Sequence, residues 1–228
     1  MISSWDIADS YDLRQEMVNT QLELRGIKES EILEAFKNTP RHLFIPNVSL
    51  HKAYSDQPLA IQAGQTISQP FIVARMIQYL KLSSSDEILE IGSGSGYATA
   101  LLSKLCRHVD ALEVYHDLVR ASRLALKRLD LINVSIQHKS AWEQLDTQKV
   151  YDRIILWASP PRIPDHLFEN LIDGGILVAP EGKSDQFVWV FKKVAGEISR
   201  ERKDPVRFVP LVQGTVLEID VHSEGNDE

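Results

Sequence analysis

The stretch that most constrains this chain runs from Ile88 to Tyr97 and reads Ile-Leu-Glu-Ile-Gly-Ser-Gly-Ser-Gly-Tyr. Ile88, Leu89 and Ile91 form a short apolar run with β-branched members. Ser83-Ser84-Ser85-Asp86 bounds it on one side and glycines on the other, which predicts a buried strand. Gly92, Gly94 and Gly96 let the backbone turn sharply and let a ligand lie against it with no Cβ in the way. Beyond them Tyr97, Leu101 and Leu105 recur at helical spacing, with Leu102 beside them, so a helix follows the turn. Its N-terminus presents unpaired N–H groups and the positive end of the helix dipole to an anionic ligand.

The spacing of the glycines bears on which ligand this is. A dinucleotide fingerprint, G-x-G-x-x-G counted from Gly92, needs a third glycine where Tyr97 stands. The pattern present is Glu-x-Gly-x-Gly-x-Gly, with Glu90 two residues ahead of Gly92. It resembles the first motif of the Rossmann-like methyltransferases that use S-adenosyl-L-methionine. The resemblance implies that Glu90, Gly92, Ser93, Gly94 and Gly96 bind this cofactor. A carboxylate at Glu90 suits a ligand with an amino group and a sulfonium. A second carboxylate, Glu113, closes the next apolar run, Val109-Asp110-Ala111-Leu112, about 20 residues on, where a ribose-binding acid is expected.

The chain of 228 residues is long enough for one domain with a substantial core. A net charge of -7 argues against a nucleic-acid partner, because phosphate contacts call for a basic surface. No run approaches the ~18–20 apolar residues of a membrane span. The first residues, Met1-Ile2-Ser3-Ser4-Trp5-Asp6, lack the basic and apolar regions of a secretory signal. With Cys106 as the single cysteine, no intrachain disulfide can form, and a cytoplasmic setting is expected. Cys106 is expected to pack. The His residues show no metal-ligand spacing, so no metal is expected.

Residues 1 to 25 predict one amphipathic helix, with Ser10 as a possible cap, Leu13, Met17 and Leu24 on one face, and Gly26 as the stop. A second helix starts near Ser30 and ends by Pro40. The stretch from Arg41 to Pro58 is punctuated by Pro, Asn and Asp and predicts loop with short strands. Pro70 opens a helix through Leu80, capped by Ser68 or Gln69. Strands at 87–91, 109–114, 134–137, 153–157 and 176–179 then alternate with helices near 97–106, 117–129 and 164–171. Asp173-Gly174-Gly175 reads as a turn. Phe187–Val194 and Arg207–Leu211 read as late strands. The clusters Lys192-Lys193 and Arg200-Glu201-Arg202-Lys203 read as a solvated face. The alternation predicts an α/β fold: one Rossmann-like domain with a mostly parallel seven-stranded sheet, one late antiparallel strand and extra N-terminal helices. Residues 1–60 would form a helical and loop cap, 61–221 the catalytic core, and the acidic 222–228 a frayed tail.

Five separated segments carry a narrower likeness. They are Arg41-His42-Leu43-Phe44-Ile45-Pro46, Tyr54-Ser55-Asp56-Gln57-Pro58-Leu59, Gly64-Gln65-Thr66-Ile67-Ser68-Gln69-Pro70, Glu90 to Tyr97, and Gly174-Gly175 through Pro180-Glu181-Gly182. In this order they resemble the motifs of the protein-L-isoaspartate O-methyltransferases, over roughly residues 15 to 212. The Thr66-to-Pro70 segment is the most distinctive. The resemblance implies methyl transfer from S-adenosyl-L-methionine to the free α-carboxylate of L-isoaspartyl residues in damaged proteins, leaving S-adenosyl-L-homocysteine. The ester then cyclises to a succinimide that can reopen as aspartate. Ser68 takes the active-site serine's place in the family, with Thr66, Ile67, Tyr54 and Asp56 around the acceptor. Peptides and proteins with isoaspartyl residues are the implied partners, and a monomer is expected.

The chain departs from the family in three places. Lys139-Ser140-Ala141 stands for the family's Gly-Asp-Gly, so Ser140 and Ala141 would meet the adenine by backbone N–H groups and the Ser140 hydroxyl. Trp157-Ala158-Ser159 stands for a run of small residues, and Val212 for a frequent Thr. The departures at Ser140 and Val212 motivate two alternatives: a related methyltransferase acting on another carboxylate or small molecule, and a cofactor-dependent binder of isoaspartyl or C-terminal peptides without turnover.

Overall fold

The computed structural model describes residues 8–146 and 148–216. Of the helix expected over residues 1 to 25, residues 1–7 lie outside the described residues, and the rest is three segments. Helix α1 (Ala8–Met17) widens into a π-helical turn at Val18–Leu22 and tightens into a 3-10 turn at Glu23–Arg25, which Gly26 closes at φ 95°. The wide turn rotates the faces: Met17, Val18 and Leu22 are buried, whereas Leu24 is 80% exposed. Ser10 lies inside α1 and is buried rather than capping it.

Helix α2 (Ser30–Lys37) follows as the sequence predicts. Between Arg41 and Pro58 the chain forms a 3-10 turn, Arg41–Phe44, and a short helix α3 (Leu50–Ala53), not strands. The rings of Phe36 and Phe44 pack edgewise on Tyr97, at 6.0 and 5.5 Å between centroids, and so tie this N-terminal layer to the glycine turn.

Strands β1 (Leu59–Ala60) and β2 (Thr66–Ile67) pair as a small antiparallel hairpin. Its tip turns at Ala63 and Gly64, both with positive φ. Helix α4 (Pro70–Leu80) begins directly after it, with Pro70 in the first turn, where a missing N–H costs no helical bond. Gln69 is the N-cap residue but makes no side-chain cap; the Asp56 carboxylate accepts the N–H of Phe71 instead, at 3.3 Å.

Strands and helices then alternate: β3 (Glu87–Ile91), α5 (Tyr97–Ser103), β4 (His108–Glu113), α6 (His116–Arg128), β5 (Val134–His138), β6 (Tyr151–Leu156), α7 (Asp165–Glu169), β7 (Leu171–Glu181), β8 (Gln186–Val194) and β9 (Glu197–Val206). The sheet order is β5-β4-β3-β6-β7-β8-β9. β5 through β7 are parallel, and β8 runs against both of its neighbours. Alternate residues feed opposite layers, as a period of two requires. Ile88, Val109, Ala111 and Ile155 face one apolar cluster, and Leu89, Ile91, Leu112, Ile154 and Leu156 the other. The order reverses between β3 and β6, so their carboxyl ends open the crevice where α/β sheets bind ligands.

Two readings of the late chain change. Asp173-Gly174-Gly175 lies within β7, where pairing to β6 jumps from Tyr151–Leu171 to Arg153–Ile176. The last strand is Glu197–Val206, not Arg207–Leu211. It is the sheet edge, and both rows of its side chains are exposed from Glu197 to Arg202, so apolar alternation is lost. Arg200 and Arg202 lie over the Trp189 and Phe187 rings of β8, and such a charged edge discourages further pairing. Residues 207–211 cross back to the crevice, with Ser159 N–H donating to the Val209 carbonyl (2.8 Å) and Leu211 N–H to that of Ser159 (3.0 Å). The expected tail 222–228, and the end of the expected core at 217–221, lie outside the described residues. No helix among those described is long and apolar enough to cross a membrane.

Candidate active site

The glycine turn is stitched to β4. The N–H groups of Gly92 and Ser93 both reach the Leu112 carbonyl, at 2.8 and 3.2 Å. Gly94 N–H donates to Glu113 Oε2 (2.8 Å), and Tyr115 N–H to Oε1 (3.0 Å). Gly92, Gly94 and Gly96 all have positive φ, the backbone region that favours glycine. Glu113 is buried, and burial raises its pKa against the pull of those backbone donors. Beside it the Ser93 hydroxyl is buried and makes no hydrogen bond among the described residues. The crevice and its open mouth together span about 790 Å³. Gly92, Ser93, Gly94, Glu113, Lys139 and Ala141 line it on the side of the glycine turn.

Three expected cofactor residues stand elsewhere. Glu90 does not line the crevice. It is fully buried, and its Oε1 accepts the indole N–H of Trp157 at 2.7 Å. Burial pushes its pKa up to about 7, while Thr99 and Trp157 pull the other way. Thr99 lies close enough for that, yet its Oγ1, like Glu90 Oε2, makes no hydrogen bond of normal geometry among the described residues. Gly96 serves packing: a Cβ there would lie 2.9 Å from Ser122 Cβ on α6. Ser140 is buried, and its hydroxyl accepts the N–H of Trp142 at 3.1 Å, a local turn that directs it into its own backbone rather than the crevice.

The hairpin strand β2 supplies the opposite wall. Thr66, Ile67 and Ser68 line the crevice, and Thr66 and Ser68 also line a second groove bounded by Pro58, Gln69, Ile72 and Phe208. Four residues line both cavities: Thr66, Ser68, Trp157 and Val209. Ser68 therefore sits at the junction. Tyr54 and Asp56, expected at the acceptor, line neither. Tyr54 is buried, with its hydroxyl bonded by Arg14 and His42. Asp56 caps α4 and pairs with Arg25. They support the serine segment from behind.

Sequence reasoning missed Arg41. It is fully buried, and its fork donates to the Ala53 carbonyl (2.9 Å) and the Ser68 carbonyl (2.9 Å), with the guanidinium 5.0 Å from the Tyr97 ring centre. Burial lowers its pKa to about 10, which still leaves it charged at neutral pH. It links the serine segment to the start of α5. Its place in an Arg-His-x-Phe motif was the available signal. Lys139 and Val212 also line the crevice and had been noted only as departures from a pattern.

The arrangement fits a donor with a nucleoside: a carboxylate at the end of the second strand, a glycine cradle and an unsatisfied buried hydroxyl. The protein-L-isoaspartate(D-aspartate) O-methyltransferase family model matches residues 13–216. A protein-L-isoaspartate O-methyltransferase of Serratia proteamaculans is 42% identical over 201 residues, 88% of this chain and 97% of its own length. One from Photorhabdus laumondii is 44% identical over 195 residues, 86% and 94% of the two chains. A crystal structure from Plasmodium falciparum, described as a protein-L-isoaspartate O-methyltransferase in complex with S-adenosyl-L-homocysteine, superposes with a TM-score of 0.77. It is 27% identical, over 88% of this chain and 99% of its own. This chain belongs to the protein-L-isoaspartate(D-aspartate) O-methyltransferase family.

Proposed function

We propose that the glycine crevice holds S-adenosyl-L-methionine and that the adjoining groove presents the α-carboxylate of an L-isoaspartyl residue to it at Ser68. The observation that carries this reading is the junction: one short segment, Thr66 to Ser68, walls both cavities. Glu113 would take the ribose hydroxyls. A carboxylate offers about four acceptor positions, and the N–H groups of Gly94 and Tyr115 occupy two. Gly92, Ser93 and Gly94 would surround the methionine part, and Ala141 and Lys139 the base.

The bound donor supplies an electrophilic methyl on a sulfonium. The acceptor carboxylate is already ionised at neutral pH, its reference pKa being about 3.5–4, so no general base is required. The thioether leaves neutral, so no acid is required either. The residues of this chain therefore position and exclude water, and effective molarity is the main source of rate. The Ser68 hydroxyl would donate to the acceptor carboxylate while Arg41 holds its carbonyl from behind. Charge is annihilated as the methyl moves, which favours the apolar walls of Trp157 and Val209 over a wet site.

The unit at work would be a single domain, with residues 1–60 as a cap over the glycine turn. A monomer in the cytoplasm, acting on damaged proteins and not on nucleic acid, accords with the acidic balance and the single cysteine. The test supplies labelled S-adenosyl-L-methionine with matched Asp and isoAsp peptides and counts methanol released from labile esters. Label in the isoAsp peptide alone is expected. Transfer to both peptides, or cofactor binding without transfer, would sink the reading.

A further inference from the structure

Of the four residues that line both cavities, Trp157 is the single aromatic, and none is charged. It directly follows β6, at the reversal of strand order. Its backbone N–H donates to the Ile91 carbonyl (3.0 Å), and its indole N–H to Glu90 (2.7 Å), so ring and backbone are both pinned. Its Cβ is 4.0 Å from where a Cβ on Gly92 would be. With the donor in the glycine crevice and the acceptor at Ser68, this ring is a wall that both would share. Two carboxylates near this ring are engaged elsewhere: Glu113 faces the N–H groups of Gly94 and Tyr115, and Glu90 lies at the edge of the indole, in line with its N–H, outside the crevice lining. The face of an indole is the best neutral partner for a cation, and better still out of water.

We propose that Trp157 binds the sulfonium of the donor through its ring and so distinguishes charged donor from neutral product. On transfer the carbon–sulfur bond breaks, its electron pair stays on sulfur, and an acceptor oxygen forms the new bond to carbon. The thioether left behind has lost the charge that the ring attracts, so the ring contributes less to holding product than to holding donor. Hydrogen bonding to Glu90 strengthens the effect by drawing the indole proton outward and enriching the ring. The proposal rests on the reading that the glycine crevice holds S-adenosyl-L-methionine. It does not depend on which acceptor is methylated.

Calorimetric titration of the whole chain with S-adenosyl-L-methionine and, separately, S-adenosyl-L-homocysteine tests it. Trp157→Leu is expected to weaken the sulfonium ligand about threefold to tenfold, with the thioether changed by less than about twofold. Trp157→Phe, which keeps a ring, is expected to retain most of the preference. Should the leucine variant not fold, Trp157→Met gives the same comparison. Equal losses for both ligands, or an unaltered affinity for the sulfonium, would overturn the proposal and leave Trp157 as packing. Failure of the unaltered protein to bind either ligand would overturn the donor-site reading itself, and this inference with it.

Discussion

Glu90 offers a sharp test of the energetics beneath the crevice. It is fully buried, one oxygen holds the Trp157 indole, and its pKa rises from 4.5 to about 7. Ionising it in the folded protein therefore costs about 3 kcal/mol more than in the unfolded chain. The sign follows from proton counting. Between the two pKa values the folded state holds a proton that the unfolded state has released, so stability falls as pH rises from about 4.5 through about 7. Glu90→Gln removes the titration. The amide oxygen can still accept the indole N–H, and the amide nitrogen can donate toward Thr99. Urea unfolding at a series of pH values from about 5 to about 8 is the assay. Glu113 also has a raised pKa, so it adds a loss of the same sign to both proteins, and their difference reports Glu90 together with its repulsion from Glu113. At about pH 5 the variant should be the more stable by less than ~1 kcal/mol, and at about pH 8 by ~3 kcal/mol. A difference that stays flat with pH, or that grows toward acid, would refute the reasoning.

Other substitutions separate the roles of the remaining residues. Glu113→Ala should weaken cofactor binding by ~1.5–3 kcal/mol, the worth of a hydrogen bond to a charged group, read by calorimetry. Ser68→Ala should lower kcat/KM for the isoAsp peptide roughly tenfold to a hundredfold, one hydrogen bond to the charged acceptor, with cofactor affinity unchanged; an unaltered kcat/KM removes Ser68 from the site. Arg41→Met leaves the Ala53 and Ser68 carbonyls without their donor. The KM for the isoAsp peptide should rise while cofactor affinity holds, and equal effects on both would mark a purely structural role. Gly96→Ala must adopt a φ near 86° and press on Ser122, so a loss of ~2–4 kcal/mol in thermal or urea unfolding is expected.

What the sequence determined by itself was whatever its local order encodes. The apolar run Ile88–Ile91, the glycines after it, Pro70 at a helix start and the alternation of strand and helix identified the sheet and the two crevice walls. These signals work because backbone preference and side-chain period depend on neighbours within a few residues. The misplaced last strand shows the limit. Glu197–Val206 pairs at an edge, where partner strand and solvent, not its own period, dictate its residues. The π-helical turn at Val18–Leu22 has a faint local signal, the Thr20 hydroxyl donating back to the Glu16 carbonyl (2.7 Å), whereas the burial of Val18 and Leu22 there belongs to the packed chain.

Only the tertiary structure decided which side chains face the crevice. Glu90 and Trp157 are 67 positions apart and Arg41 and Ser68 are 27 apart, yet each pair is within hydrogen-bond distance. A buried carboxylate must find a donor, and the bulky indole that supplies it also screens it from the crevice. Ser140 and Tyr54 point away for the same kind of reason: each hydroxyl is engaged by a nearer partner. Residue type announced these groups as able to bind, but burial and competing hydrogen bonds, which are properties of the packed chain, settled where they are directed.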